Sequence, residues 1–160
     1  MNALIASDAG LTSACTQWST KTVLGLDTEF FRERTYYPRP ALIQVADDEG
    51  IALVDPLAVS DFAPLDRLLA DPAGVILMHS CGEDLEVFER LFPSPPTRIF
   101  DTQLAAAFTG YGFSLGYSAL VAALLGVELD KGETRSDWLR RPLSESQQRY
   151  AALDVMYLAP

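Results

Sequence analysis

Cysteine, histidine and basic side chains are all scarce in this sequence, and each shortage closes off a class of chemistry. Cys15 and Cys81 are the only cysteines and form no CxxC pair. Two are too few for a disulfide framework, and nothing here begins a zinc cage. No apolar run reaches the roughly 18 residues of a membrane span. The N-terminus lacks the basic stretch and apolar run of a secretory signal. These absences point to a reducing, cytoplasmic setting with no membrane partner. Lys and Arg together number 12 against 22 Asp and Glu, a formal charge of −10. That balance argues against gripping nucleic acid by bulk charge. It leaves nucleic-acid chemistry open, because carboxylates that hold cations count as negative while the ions reverse the local field. There is no internal repeat and no low-complexity tract.

What is present suits one domain: 160 residues, 49% of them apolar, enough for a sizeable core. The basic residues are clustered. Arg32, Arg34 and Arg39 form one group; Lys131, Arg135, Arg140, Arg141 and Arg149 form another. The stretch 47–89 is mostly acidic.

Residues 1–20 are weakly patterned. TVLGLDTEF (22–30) reads as a buried strand, and charged residues 31–39 as an exposed loop. ALIQVAD (41–47) and GIALVD (50–55) flank a short polar turn and form a hairpin, so part of the sheet is antiparallel. A helix is expected over 62–71, a strand over 74–80 and a helix over 82–92, ended by the proline-rich 93–96. A short strand at 98–102 leads into QLAAAF (103–108). Ser114 is the expected cap of a helix over 115–125 that Gly126 ends. Residues 127–143 are charged and irregular. Ser144 and Gln147 make a capping box for a helix running to about 158. The architecture is α/β, a mixed central sheet flanked by helices. The chain stops directly after this last helix, which suggests a piece of a longer protein.

The chemistry starts with Asp27 and Glu29. They lie two apart in an apolar strand, so both carboxylates share one face. Like charges there repel and are costly to desolvate, and a cation between them removes that cost. The pair alone equally fits a strand that ends at Asp27 and meets solvent. Asp84 falls in the first turn of a helix that follows a buried strand, where a carboxylate is favoured whatever its role. Its side chain should point back to the strand ends, with Glu83 and Glu86 facing solvent. Tyr150 and Asp154 stack one turn apart in the apolar segment RYAALDVMYL (149–158). An unpaired aspartate there would be expensive; salt bridges to Arg135, Arg140 or Arg141, or a Tyr150–Asp154 contact on an exposed face, are the alternatives. Taken together, two strand carboxylates, one helix-start aspartate and one mid-helix aspartate suit two divalent ions. All-oxygen donors suit Mg²⁺ or Mn²⁺. A two-ion site of this kind serves phosphodiester hydrolysis.

At this point the sequence resembles a known family. LDTEF (26–30), HSCGEDLEVF (79–88) and Tyr150 followed by AALD (151–154) look like the three motifs of the DEDD 3′–5′ exonucleases, in the branch with a tyrosine in its third motif. The likeness is strongest to the bacterial ribonuclease D family. It is supported by YYPRPALIQVAD (36–47), VDPL (54–57), FDTQLAAAF (100–108) and the stretch 129–155. The resemblance implies a ribonuclease H-like fold and a metal-dependent exonuclease. Asp27, Glu29, Asp84 and Asp154 would be the acidic metal-site residues, with Asp27 bridging two ions. Glu29 and Asp154 would hold one ion, and Asp84 would help place the other, partly through water. Tyr150 would orient the attacking water, and Glu29 would accept a hydrogen bond from the terminal 3′-hydroxyl. The implied partner is an RNA 3′ end, such as that of a transfer RNA precursor. A DNA-directed exonuclease and a catalytically idle RNA-binding domain are the competing readings. Family members carry helical RNA-binding modules after the exonuclease domain. No oligomeric state is indicated.

Other residues get supporting roles. His79 and Asp101 are expected to be structural, Asp101 as a helix cap. Gln44 is expected to satisfy backbone groups near the site. Phe30, Phe31, Tyr36 and Tyr37 are candidates for stacking on bases, with core packing the alternative for Phe30. The basic group at 131–149 either contacts phosphates or is a solvated loop. Gly132 and Glu133 depart from the family's Ser-Gln pair before TRSDWL, and CGED departs from its small-Ser-Glu-Asp pattern. Asp84 keeps its place.

Overall fold

The computed structural model describes residues 3–33, 35–71, 73–94, 96–129 and 136–158. Lys131 and Arg135 of the second basic group, Gly132 and Glu133 between them, and Arg34 of the first group lie outside the described residues. In chain order the elements are β1 (Ala3–Ile5), α1 (Asp8–Trp18), β2 (Val23–Phe31), β3 (Arg39–Ala46), β4 (Ile51–Val54), α2 (Ala63–Ala70), β5 (Val75–Met78), α3 (Gly82–Leu91), β6 (Ile99–Asp101), α4 (Thr102–Phe108), α5 (Tyr117–Leu125) and α6 (Glu145–Val155).

The strands form one mixed sheet in the order β1-β4-β3-β2-β5-β6. β2–β3 and β3–β4 are antiparallel; the other three neighbours are parallel. The hairpin is as expected, and Asp47 fixes its turn by accepting from the Glu49 and Gly50 backbone N–H groups at 2.8 and 2.9 Å. β1 and α1 occupy the stretch that reads as weakly patterned. Ser7 caps α1 by accepting from Gly10 N–H at 3.2 Å, and Leu11, Cys15 and Trp18 are its buried residues. That is i, i+4, i+7 spacing, a helical stripe with few members.

Strand alternation sends side chains to two packed layers. Leu24, Leu26, Ile43 and Val45 meet α1, α2 and α3 through Leu11, Trp18, Leu65, Leu69 and Phe88. On the opposite face Leu42 and Leu53 meet Trp138, Leu143 and Ala151, so α6 packs there. The mixed sheet with helices on both faces is the expected α/β architecture.

Three boundaries differ from expectation. β2 and β3 reach further into 31–39, with an irregularity at Glu29/Phe30. α5 starts at Tyr117 with Gly116 as its cap, not Ser114, which sits in the left-handed region at φ 54°. α6 ends at Val155, three residues early. Gly126 does end α5, at φ 68°, where a side chain would be strained. Among the described residues no helix is long and apolar enough to cross a membrane.

Candidate functional site

β2 runs past the end of β5. Its parallel pairing to β5 stops at Gly25–Leu77, while its pairing to β3 continues to Phe31. Asp27 and Glu29 therefore stand where β2 has lost one neighbour, outside the carboxyl end of β5. Such a gap between parallel strands is where sheets of this kind bind ligands.

Asp84 fills that gap. It is buried in the first turn of α3, and one of its oxygens accepts from both the Thr28 backbone N–H at 3.1 Å and the Thr28 hydroxyl at 2.5 Å. The carboxylate takes the place of a missing strand, satisfying a backbone donor that β5 no longer reaches. It points back toward the strand ends, as expected. Glu83 and Glu86 turn to Arg32 instead, at 3.7 and 2.8 Å. The turn before α3 is held by Asp101, whose carboxylate accepts from the Ser80 and Cys81 N–H groups at 3.1 and 3.0 Å. The same carboxylate caps α4 through Gln103 and Leu104 N–H. Ser80 is held at φ 60°, a conformation costly for a residue with a side chain. Asp101 thus does the capping expected of it and also fixes where α3, and so Asp84, begins.

Asp154 comes from the other layer, on α6. The Tyr150 hydroxyl lies near enough to the Asp154 carboxyl to lower it. α6 is aimed by its start: the Ser144–Gln147 capping box is present, and the buried Gln147 amide also donates to Ser136 and to the Asp137 carbonyl at 2.9 and 3.2 Å. Arg141 anchors the segment before α6. Its guanidinium forks onto Asp55 with two contacts of 2.7 Å and donates to three carbonyls, those of Ala41, Trp138 and Arg140. Arg141 is therefore neither the partner of Asp154 nor a free phosphate contact. Arg140 and Arg149 are exposed.

The structure brings the four acids within mutual electrostatic reach. Burial, then Asp84, Asp154 and Glu29 in turn, push the Asp27 carboxyl well above the ordinary range. Burial, Asp154 and Asp84 push Glu29 up to about 8. Burial pushes Asp154 up to about 7, against the lowering effect of the Tyr150 bond. Burial also raises Asp84, against its bonds from Thr28. Burial and the neighbouring acids hold the Tyr150 hydroxyl well above its usual range, so it stays protonated. Among the described residues no basic side chain is in the set of groups acting on these acids. The donor set is all oxygen, crowded and without a counter-charge from the described residues, which fits hard divalent cations. As the side chains stand, no group of three or more His, Cys, Asp or Glu among the described residues is arranged to hold a metal ion. One Asp84 oxygen is committed to Thr28.

His79 is occupied elsewhere. Its ring nitrogens contact Thr102 Oγ1 and the Leu115 carbonyl, both at 2.9 Å, in keeping with a structural role. Gln44 departs from expectation: it is fully buried and neither polar atom of its side chain has a partner. Strand pairing already uses the backbone groups it was expected to satisfy. Tyr117, which has no sequence signal beyond opening a helix, lies close enough to Asp154 and Asp27 to feel both charges. An open cleft of about 750 Å³ adjoins Glu29, lined by Phe30, Phe31, Arg32, Glu83 and Trp138 among others. Tyr36 and Tyr37 are exposed and form an edge-to-face pair.

Comparison with known proteins bears on the family and the fold. A family model described as 3′–5′ exonuclease matches residues 3–160. Ribonuclease D of Pseudomonas paraeruginosa is 54% identical over 97% of the chain, and that of Escherichia coli 47% identical over 98%. The chain spans 41% and 42% of those two relatives. The crystal structure of E. coli RNase D, described as an exoribonuclease involved in structured RNA processing, superposes with a TM-score of 0.95 at 47% identity, covering 99% of this chain and 42% of that one. The ribonuclease H-like fold and the ribonuclease D likeness expected from the motifs are thereby borne out, and the chain belongs to the 3′–5′ exonuclease family.

Proposed function

We propose that the chain carries a metal-dependent 3′–5′ exoribonuclease centre that removes nucleoside 5′-monophosphates from RNA 3′ ends, transfer RNA precursors among them, in the cytoplasm. What supports this reading is the convergence of Asp27, Glu29, Asp84 and Asp154, four acids from three elements, close enough to act on one another, with no basic side chain among the described residues acting on them. These four would hold two Mg²⁺ or Mn²⁺ ions. When bound, the ions supply positive charge for the attacking and leaving oxygens of the displacement.

The remaining work falls to the chain itself. The Tyr150 hydroxyl stands beside Asp154, and its oxygen lone pairs would accept from the attacking water and orient it. Because the hydroxyl stays protonated, it positions the water rather than taking its proton. Thr28 holds Asp84 by two bonds and fixes one acid against rotation. Glu29, at the mouth of the cleft, accepts from the terminal 3′-hydroxyl, which a continuing strand would lack. Phe30, Phe31 and Trp138 offer apolar surface to the last base. The name and function of the E. coli relative favour RNA over DNA as the substrate.

The test is digestion of matched RNA and DNA oligonucleotides with labelled 3′ ends, with Mg²⁺ or Mn²⁺ titrated, for the native chain and Asp27→Asn. The expected result is stepwise loss of 5′-monophosphates from RNA that requires added metal and vanishes in the variant. Activity that survives chelation or Asp27→Asn would overturn the metal centre. Faster loss of DNA would overturn the RNA assignment alone.

A further inference from the structure

Gln44 sits in the middle of β3 with no exposed surface, and neither its amide nitrogen nor its amide oxygen has a hydrogen-bond partner. Among the described residues no other buried side chain is left in this state. Burying such a group without a partner costs stability. Leucine or methionine would fill the same space without that cost. A buried polar group that nothing in the fold uses calls for a reason outside the fold.

The register supplies the neighbour. Gln44 pairs directly with Asp27 across β2 and β3. Directly opposite residues share a face, with Cβ atoms roughly 4.5–5.5 Å apart. The two therefore lie side by side on the α6 face of the sheet. Their needs are complementary. The Thr28 N–H, the one backbone donor near enough to act on Asp27, is committed to Asp84; Asp27 is surrounded by three other acids and has no side-chain donor acting on it among the described residues. Gln44 has two amide hydrogens and nowhere to place them.

We propose that Gln44 is a positioning residue for Asp27, its amide N–H donating to one Asp27 oxygen when cations occupy the carboxylate cluster. The bond leaves the remaining lone pairs of Asp27 aimed at the ions. Partners of metal ligands that act in this way typically change metal affinity by about 10–100-fold. The proposal rests on reading the four acids as a metal centre.

The test compares the full chain with Gln44→Met and Gln44→Leu, both close in volume and without hydrogen-bonding groups. Thermal midpoints are recorded without metal and across a Mn²⁺ titration. The unaltered chain tests the metal centre: if Mn²⁺ does not raise its midpoint, that reading fails, and the positioning role with it. Where Mn²⁺ does raise it, the variants decide the role of Gln44. The expected result is a metal-free midpoint equal to or above that of the unaltered chain, with about tenfold more Mn²⁺ needed for half of the stabilisation. A requirement within about threefold of the unaltered chain overturns the proposal. So does a variant that fails to fold or melts lower without metal, since Gln44 would then be a member of the core.

Discussion

Two side chains separate chemistry from scaffolding most cleanly. Tyr150 packs its ring near Trp138, at 6.1 Å between centroids, and its hydroxyl acts on the Asp154 carboxyl. Tyr150→Phe keeps the ring and removes only the oxygen. Catalytic turnover should fall on the order of 100-fold with KM little changed, because the lost contact is to the attacking water rather than to bound RNA. A large rise in KM with turnover preserved would place Tyr150 in RNA binding instead. Asp84 offers a second separation. Its oxygen accepts two bonds from Thr28, and an asparagine oxygen accepts the same two. Asp84→Asn should therefore fold with an unchanged or higher metal-free midpoint, since one like charge leaves the cluster. Activity should drop on the order of 10²–10³-fold. A variant that unfolds would show that the carboxylate is needed for the scaffold. Legibility at this scale was uneven. Asp27, Glu29 and Asp154 stand out because acids are rare in apolar segments, whereas Asp84, beside Glu83 and Glu86, is marked only by its place after a buried strand and by the family motif. Gln44 and Tyr117 do not, because their neighbours come from across the sheet and from another helix.

The elements that carry the site were visible wherever a single period ran long enough. β2, the β3–β4 hairpin, α3 and α6 each show it. β1 has three residues, too few for any period, and α1 spreads its apolar stripe among Ser, Thr and Gly. α5 misled because Ser114 has the chemistry of a cap but the wrong backbone angle. The clamp before α6 was not legible at all. Arg141 and Asp55 are 86 residues apart, and nothing in either local pattern pairs them. The clamp ties the loop after β4 to the entry of α6, and α6 carries Tyr150 and Asp154. Burial raises the Asp55 carboxyl, but the Arg141 and Leu57 bonds more than offset this and hold it below its ordinary value. Removing one partner of a buried pair costs about 3–5 kcal/mol. Arg141→Ala should cost roughly that much by denaturant unfolding, and Arg141→Lys nearly as much, because one ammonium cannot replace the fork. A loss below about 1 kcal/mol would show that the pair is too well hydrated to anchor the helix.

Across the whole molecule, the acids divide into two sets with opposite responses to pH. Asp8, Asp55 and Asp101 have lowered carboxyls, so the stability they add is present above their ordinary value of 3.8 and is lost as pH falls. They contribute nothing that changes near neutrality. Asp27, Glu29, Asp84 and Asp154 have raised carboxyls. Glu29 moves from 4.5 to about 8 and Asp154 from 3.8 to about 7. Between those limits the folded chain holds protons that the unfolded chain has released, so unfolding is favoured as pH rises through the window. His79 works the other way, since burial lowers it below 6.5, but its contribution ends once the unfolded histidine is neutral. Without divalent cations the thermal midpoint should therefore fall between pH 7 and 8. Cations compete with the same protons, so the stabilisation by Mg²⁺ or Mn²⁺ should be larger at pH 8 than at pH 6. Asp154→Asn should flatten both trends, because it removes one titrating carboxyl and relieves Glu29 and Asp27. A metal-free midpoint that rises from pH 7 to 8, or a metal effect that shrinks with pH, would mean the four acids do not share one electrostatic site.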